Sequence, residues 1–313
     1  MRSSRRILGV MTRYRRGSPA DSRLAFDIFQ PTIDDLGTRT GGGANATAAD
    51  DAETAWAKRR PLFDHIAATA DQWWFAEDDA TGRAIGYARS ILRDGVRELT
   101  EFFVLPEAQA GGVGRELLAR AFPAEGARHR SIVATIDPRA ISRYLQSGLP
   151  GKVAMAFVEG APRVVSLPTD LVRERIHPSA PPLGELGAID RATIGFRRDE
   201  DHRWLASLRP GWLYRREGAA VAYGYHPAQP VWGGPYAALR AADLPVLLAD
   251  GETAAAEAGH PTVTFDMALT ASAAFRYLLG RGFRVDPFVM LYFTDGDIDG
   301  LERYVLTSPP FFL

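Results

Sequence analysis

The stretch EFFVLPEAQAGGVGRELL, Glu101–Leu118, runs from an apolar segment through a proline and a glycine cluster into a helical pattern. Pro106 has no amide hydrogen to give to a ladder, so the strand LTEFFV should stop or bulge near Val104 and Leu105. Each backbone amide from Gln109 to Arg115 then lies in the loop or in a first helical turn, where the helix supplies no acceptor. Gly111, Gly112 and Gly114 widen the range of φ and let a ligand come close to the backbone. Such amides, with the positive end of the helix dipole, suit a diphosphate. A tight turn is the plainer reading. The stretch is not a P-loop, because no Lys-Ser/Thr follows the glycines, and its spacing fails the G-x-G-x-x-G pattern.

The rest of the chain narrows the classes. Its 313 residues are more than one average domain, so two domains are expected. A formal net charge of -1 gives no electrostatic case for nucleic acid or an anionic membrane surface. With no cysteine there is no disulfide, no thiolate metal site and no cysteine nucleophile. His65, His129, His177, His202, His226 and His260 are scattered, with no two at metal-ligand spacing, so no metal is expected. No run approaches the roughly 20 apolar residues of a membrane-spanning helix. The arginine-rich opening MRSSRRILGVMTRYRRG lacks a secretory pattern. It reads as a tail ahead of a first strand near Thr12–Arg16, and a cytoplasmic protein is expected.

Local patterns then give an order of elements. SPADSRLAFDIF starts a helix, with Ser18 or Asp21 as cap and Pro19 in the first turn. The glycine- and alanine-rich stretch from Gly37 to Glu53 can bury little and reads as a mobile loop. A second helix carries Trp56, Leu62, Phe63 and Ile66. QWWFAED and AIGYARSIL flank a turn at Asp79, Thr81 and Gly82, and RELTEFFVL continues the meander. Trp73 and Trp74 could form a ligand platform, but paired tryptophans in a strand usually pack. Helix, strand, helix and strand follow, ending at KVAMAFVEG. A meander followed by alternation points to an α/β fold with a mixed, mostly antiparallel sheet flanked by helices. Residues 161–182 are proline-rich and read as a linker.

The second half repeats the first weakly. Tyr87 and Tyr223, Arg143 and Arg276, and Gly148 and Gly282 are each separated by roughly 135 residues. That period is a domain, not a solenoid repeat. Two copies of one fold are expected, at 12–160 and 183–313.

Gln109-x-x-Gly112-x-Gly114, after a strand ending in Val104-x-Pro106, resembles the acetyl-CoA-binding loop of the GNAT superfamily of N-acetyltransferases. A second segment agrees: Asp137 through Ala140, Tyr144 and Gly148 is similar to that family's Asn-x-x-Ala-x-x-x-Tyr-x-x-x-Gly-Phe, with Asp137 for Asn and Leu149 for Phe. Asp137 is also a good helix cap and Pro138 a good first residue. The resemblance spans about residues 12–160.

It implies tandem GNAT-like domains, each with a sheet splayed at an acyl-CoA site, and no metal. The pantetheine arm would pair with the strand through Phe102 and Val104, and the diphosphate would lie on Gln109, Ala110, Gly111, Gly112, Val113, Gly114 and Arg115. Asp137 would support the cofactor from the second motif. An amine acceptor would attack the thioester directly through a tetrahedral intermediate, whose oxyanion an amide near Val104 can stabilise. Tyr144 matches the position whose phenol protonates the departing sulfur. Glu98 or Glu101 could deprotonate the amine through a water; strand alternation puts Glu98 on the face of Phe102 and Val104 and favours it.

At 183–313 the pattern decays. Gly233-Gly234-Pro235 precedes a strand, Asp243 and Pro245 start the next helix, and Leu278 falls where a tyrosine is expected, with Tyr277 one step off. The second copy is therefore read as having lost CoA binding, and the apolar YVLTSPPFFL as docked on the protein. The leading expectation is an acetyl-CoA-dependent N-acetyltransferase of a small amine rather than a protein, monomeric or homodimeric. A non-catalytic acyl-CoA sensor is the alternative, and a nucleotide-binding protein a weaker one.

Overall fold

The computed structural model describes residues 11–40, 51–109, 111–227, 233–297 and 299–306. The arginine-rich opening up to Val10, Ala110 and the last seven residues lie outside them.

Strand β1 is Thr12–Arg16. The Asp21 carboxylate then accepts hydrogen bonds from the Ser18 amide and hydroxyl, both at 2.8 Å, and a short 3-10 turn opens helix α1 (Ser22–Thr40). The expected loop from Gly37 to Glu53 is corrected at both ends. Helix α1 continues through Gly37, helped by the Arg39–Asp35 pair at 2.8 Å and by Thr38 Oγ1 on the Asp34 carbonyl at 3.0 Å. Helix α2 (Ala52–Ala68) begins before Glu53, because the Asp51 side chain caps it by accepting from the amides of Glu53 and Thr54. Local capping and i,i+4 pairing thus outweigh the poor helical composition there.

The meander is β2 (Ala70–Asp78), β3 (Ala84–Arg93) and β4 (Val96–Val104). Its first turn is held by Asp78, not Asp79: Asp78 Oδ1 accepts from the Ala80 amide at 2.8 Å. Trp73 and Trp74 pack. Arg89 lies 4.5 Å over the Trp73 ring, and Arg16 lies 4.7 Å over Trp74. Then come α3 (Val113–Ala121), β5 (His129–Thr135), α4 (Pro138–Gln146) and β6 (Gly151–Gly160).

The proline-rich segment also contains a strand, β7 (Val172–Ile176), which pairs with β8 (Gly211–Arg216) after helices α5 (Leu183–Thr193) and α6 (Asp199–Leu208). Strands β9 (Ala219–Tyr225) and β10 (Tyr236–Ala238), helix α7 (Leu244–Glu257), β11 (Val263–Ala268), α8 (Ser272–Gly280), β12 (Arg284–Thr294) and β13 (Tyr304–Val305) complete the described chain.

Two compact units are present. One holds residues up to Ile91 and Leu99–Glu125; the other holds Leu92–Glu98 and the chain from Gly126 on. In the first, the strands run β1-β2-β3-β4. Its core lies between these strands and helices α1 and α2, where the rings of Phe26, Phe29, Phe63 and Phe103 meet edge-on, Phe29 to Phe103 at 5.1 Å. Edge-to-face contact suits the ring quadrupoles and adds to area burial.

In the second unit the order is the start of β4, then β5-β12-β6-β11-β13-β10-β9-β8-β7. All these neighbours are antiparallel except β4 and β5, whose pairs run from Val96–His129 to Glu98–Ser131. Strand β12, late in the sequence, lies between β5 and β6, while β6 lies between β12 and β11. One strand of each repeat is therefore interleaved with the other's. A second core of Leu244, Leu247, Phe265, Met267, Leu278 and Val305 backs this sheet. No described helix is long and apolar enough to cross a membrane.

Candidate active site

In the first unit, β4 ends at Val104, as Pro106 requires, and its last pairing is the Leu105 amide on the Ile85 carbonyl at 2.9 Å. Gly86 makes that approach possible, since a Cβ there would meet the Phe103 carbonyl oxygen at 2.9 Å. A 3-10 turn, Pro106–Ala108, carries the chain to Gln109, whose side-chain amide donates back to the Val104 carbonyl at 2.9 Å. The loop is thus tied to the strand it leaves.

Gly112 has φ +86 and is the cap residue of α3. No atom lies within 4 Å of the Cβ that a side chain would add at Gly111 or Gly112, so these glycines serve backbone conformation or approach rather than tight packing. Gly114 differs: a Cβ there would sit 3.1 Å from Phe102 Cζ, so the ring packs on the first turn of the helix. The amides of Val113 and Gly114 belong to that turn, where a helix supplies no acceptor. Two expected donors are occupied, the Gln109 amide by the Pro106 carbonyl at 3.4 Å and the Arg115 amide by the Gly112 carbonyl at 3.1 Å.

Glu101 and Glu98 lie on opposite faces of β4 and have different surroundings. Glu101 Oε2 takes a short contact from Arg89 Nε, and Oε1 accepts from the Tyr87 hydroxyl at 3.1 Å; all three residues are buried. Burial pushes the Glu101 carboxyl above the usual carboxylate range, opposed by the Arg89 guanidinium. Glu98, also buried, belongs to the second unit with the β3–β4 turn. That turn is pinned there. Arg93 is bidentate to Asp201, at 2.9 and 2.7 Å, and Asp94 accepts from Arg191 and from the Arg197 amide at 3.1 Å each. Burial works against the Arg93 charge, but Asp201 outweighs it and holds the guanidinium protonated, with smaller help from Glu200 and Glu98.

The second motif is a well-formed helix start in the second unit. Asp137 Oδ1 accepts from the Arg139 amide at 2.9 Å and its Oδ2 meets Arg139 Nη2 at 2.8 Å. Two turns on, Tyr144 is 4% exposed, its ring 5.4 Å from that of Phe293 on β12. Burial first, and the Asp137 carboxylate second, push its phenol above the usual tyrosine range. The helix closes with Gly148 at φ +79 and the Leu149 amide on the Tyr144 carbonyl.

The later repeat keeps the frame and changes the contents. Gly282 has φ +89, and the Phe283 amide donates to the Leu278 carbonyl at 3.1 Å. Leu278 is fully buried, and the Tyr277 hydroxyl points instead to Glu252 at 2.9 Å. Helix α7 opens on Ala241, Ala242 and Asp243 where α3 has glycines. A cavity of about 700 Å³ lies against Ala242, Pro245, Ser272, Arg276 and Glu302. Among the described residues, no group of three or more His, Asp or Glu side chains is placed to hold a metal ion.

Sequence reasoning missed what fixes this frame. The partners of Arg93 and of Tyr144 come from residues more than a hundred positions away, and no local pattern announces them.

Residues 69–148 match the family described as acetyltransferase (GNAT) domain. No curated protein sequence matches the chain. A putative acetyltransferase from Pyrococcus horikoshii aligns over 97% of this chain and 96% of its own, with a TM-score of 0.70 at 12% identity. A GCN5-related N-acetyltransferase from Sphaerobacter thermophilus aligns over 92% and 96%, with a TM-score of 0.60 at 16% identity. A tandem GNAT protein from the clavulanic acid biosynthesis pathway aligns over 92% of this chain and 100% of its own, with a TM-score of 0.57 at 14% identity. The chain has the fold of the tandem GNAT proteins, and its residues 69–148 match the GNAT acetyltransferase domain family.

Proposed function

We propose that this protein is an acetyl-CoA-dependent N-acetyltransferase acting on a primary amine, a small molecule rather than a protein. One observation carries the reading. The glycine loop leaves β4 at Pro106, is tied to Val104 through Gln109, and starts α3 from a left-handed Gly112 inside the GNAT-matched segment. That arrangement suits the diphosphate of CoA, with Gln109, Ala110, Gly111, Gly112, Val113, Gly114 and Arg115 around it. Phe102 and Val104 take the pantetheine arm, and Asp137 supports the cofactor from the second motif. The copies span 12–160 and 183–313, joined by 161–182, and acyl-CoA belongs to the first.

In the reaction the amine nitrogen attacks the acetyl carbon, and an amide near Val104 stabilises the oxyanion. The C–S bond then breaks, Tyr144 gives its phenolic proton to the sulfur, and the second proton leaving the nitrogen restores the phenol. A phenol raised by burial stays protonated at neutral pH, which fits a donor. Of the two candidate bases we favour Glu98, which strand alternation puts on the face of Phe102 and Val104. The proton leaving the ammonium acceptor goes to Glu98 through a water. The non-catalytic reading, an acyl-CoA sensor, has one observation in its favour: Asp137, where the family has Asn, is occupied by Arg139.

Calorimetry of CoA and acetyl-CoA with the intact chain and with Gly112→Glu tests the cofactor. The new carboxylate fills the loop and repels phosphate, so micromolar binding should disappear. Thiol release with a panel of primary amines then tests turnover. Binding without release for any amine favours the sensor, and no binding by the intact chain removes both.

A further inference from the structure

The two repeats differ at one topological point. In the first, β4 and β5 pair directly, from Val96–His129 to Glu98–Ser131. In the second, the corresponding strands β10 and β11 are separated by β13. The correspondence rests on Tyr223 of β9 standing for Tyr87 of β3, and on the matching ends of α4 and α8.

Strand β13 is built in on every side. Tyr236 and Ala237 of β10 are in register with Val305 and Tyr304, and Met267 of β11 with Val305. The Leu306 amide donates to the Asp266 carbonyl at 2.7 Å, and Arg303 Nη1 donates to the Leu239 carbonyl at 3.3 Å. Tyr304, Val305 and Leu306 are all 0% exposed. Val305 joins the core behind the sheet, while Arg198, at the start of α6, lies 5.3 Å over the Tyr304 ring. Two glycines make room. A side chain at Gly234 would strike the Leu306 carbonyl, and one at Gly300 the Thr193 carbonyl.

We propose that the gap between β10 and β11 is a site for an extended peptide strand, filled in cis by Tyr304–Leu306. The second repeat is thereby closed to any acyl carrier by its own chain. A pantetheine arm and a peptide strand present similar alternating amide groups, so a gap that pairs with one can pair with the other. Residues with large side chains and a backbone amide at each position fill it more completely than a thin flexible arm. The consequence for acyl-CoA, one site per chain, rests on the proposed function; the occupancy of the gap does not.

Hydrogen exchange on the full chain reads the occupancy. In the intact protein the amides of Tyr236–Ala238 and Val263–Ala268 should be as protected as those of β8 and β9. Leu306→Pro removes the hydrogen bond to Asp266, and Tyr304→Ala empties the space under Arg198. Either should speed exchange in β10 and β11 by 10-fold or more, with β8 and β9 unchanged. Loop-like exchange at β10 and β11 of the intact chain would overturn the proposal without any variant having to fold, as would unchanged exchange in both variants. Acetyl-CoA titration of the intact chain should saturate at one equivalent. Two equivalents would also overturn the proposal, whereas none would remove the acyl-CoA reading and leave the exchange result to decide the strand.

Discussion

Leu278 holds in the second repeat the position that Tyr144 holds in the first. The Leu149 amide donates to the Tyr144 carbonyl at 3.0 Å, and the Phe283 amide to the Leu278 carbonyl at 3.1 Å. Each follows a glycine of positive φ, Gly148 and Gly282. The backbone frame is the same in both repeats, and where one carries a phenol the other carries an apolar side chain.

Tyr144→Phe should therefore lower kcat by about 10²-fold or more with acetyl-CoA affinity nearly unchanged, since only the hydroxyl is lost. Because burial raises this phenol, kcat of the parent should show no alkaline decline attributable to it in the ordinary tyrosine range near pH 10. Steady-state kinetics with a calorimetric Kd checks both. Equal turnover by the phenylalanine variant would make Tyr144 a packing residue.

Glu98 and Glu101 should separate cleanly. Glu101→Gln leaves the buried Arg89 guanidinium without its counter-charge and should cost about 3–5 kcal/mol of stability. Glu98→Gln should lower kcat at temperatures where its melting curve shows it fully folded. Melting curves and kcat on the two variants together decide the assignment, and a variant of Glu101 that melts normally but does not turn over would reverse it.

Gly112→Ala isolates the backbone term at the loop. No atom lies within 4 Å of the added Cβ, so the cost is conformational, about 1–2 kcal/mol for a left-handed residue. Denaturant titration should show that loss. Gly114→Ala should behave differently, since its Cβ meets Phe102 at 3.1 Å and the ring must give way.

Asp266 supplies a pH test. It is fully buried, and burial pushes its carboxyl up to about 8 against a smaller opposing pull from the Met267 amide. Between the ordinary carboxyl range near 4 and that value, the unfolded chain has released a proton that the folded chain retains. Stability from this group is therefore fully present at low pH and falls as pH rises towards 8. Asp266→Asn should match the parent near pH 4 and exceed it at pH 8 by about 1–3 kcal/mol. A constant difference in melting temperature across that range would show that Asp266 does not titrate there.

Much of the first repeat was legible because its signals are local. Pro106, the three glycines and the apolar start of α3 follow one another within a dozen residues. Asp137 and Pro138 announce α4 by capping and by fixed φ. The ends of α1 and α2 were misread because loop composition was weighed there without the Asp35–Arg39 pair and the Asp51 cap. Tyr277 was correctly separated from Leu278 by the helical period, which sends adjacent side chains about 100° apart.

Local backbone preferences over a few residues set the order of elements in the first repeat, the glycine loop and the Tyr144 helix, and a weak internal similarity marked the second copy. Only tertiary structure decided which strands are neighbours. Strands β6 and β12 interleave, Arg93 finds Asp201, and β13 enters between β10 and β11. A strand's alternation fixes which faces it can bury but not which edge it joins, and edge pairing is chosen by hydrogen bonding and packing among segments far apart in the chain.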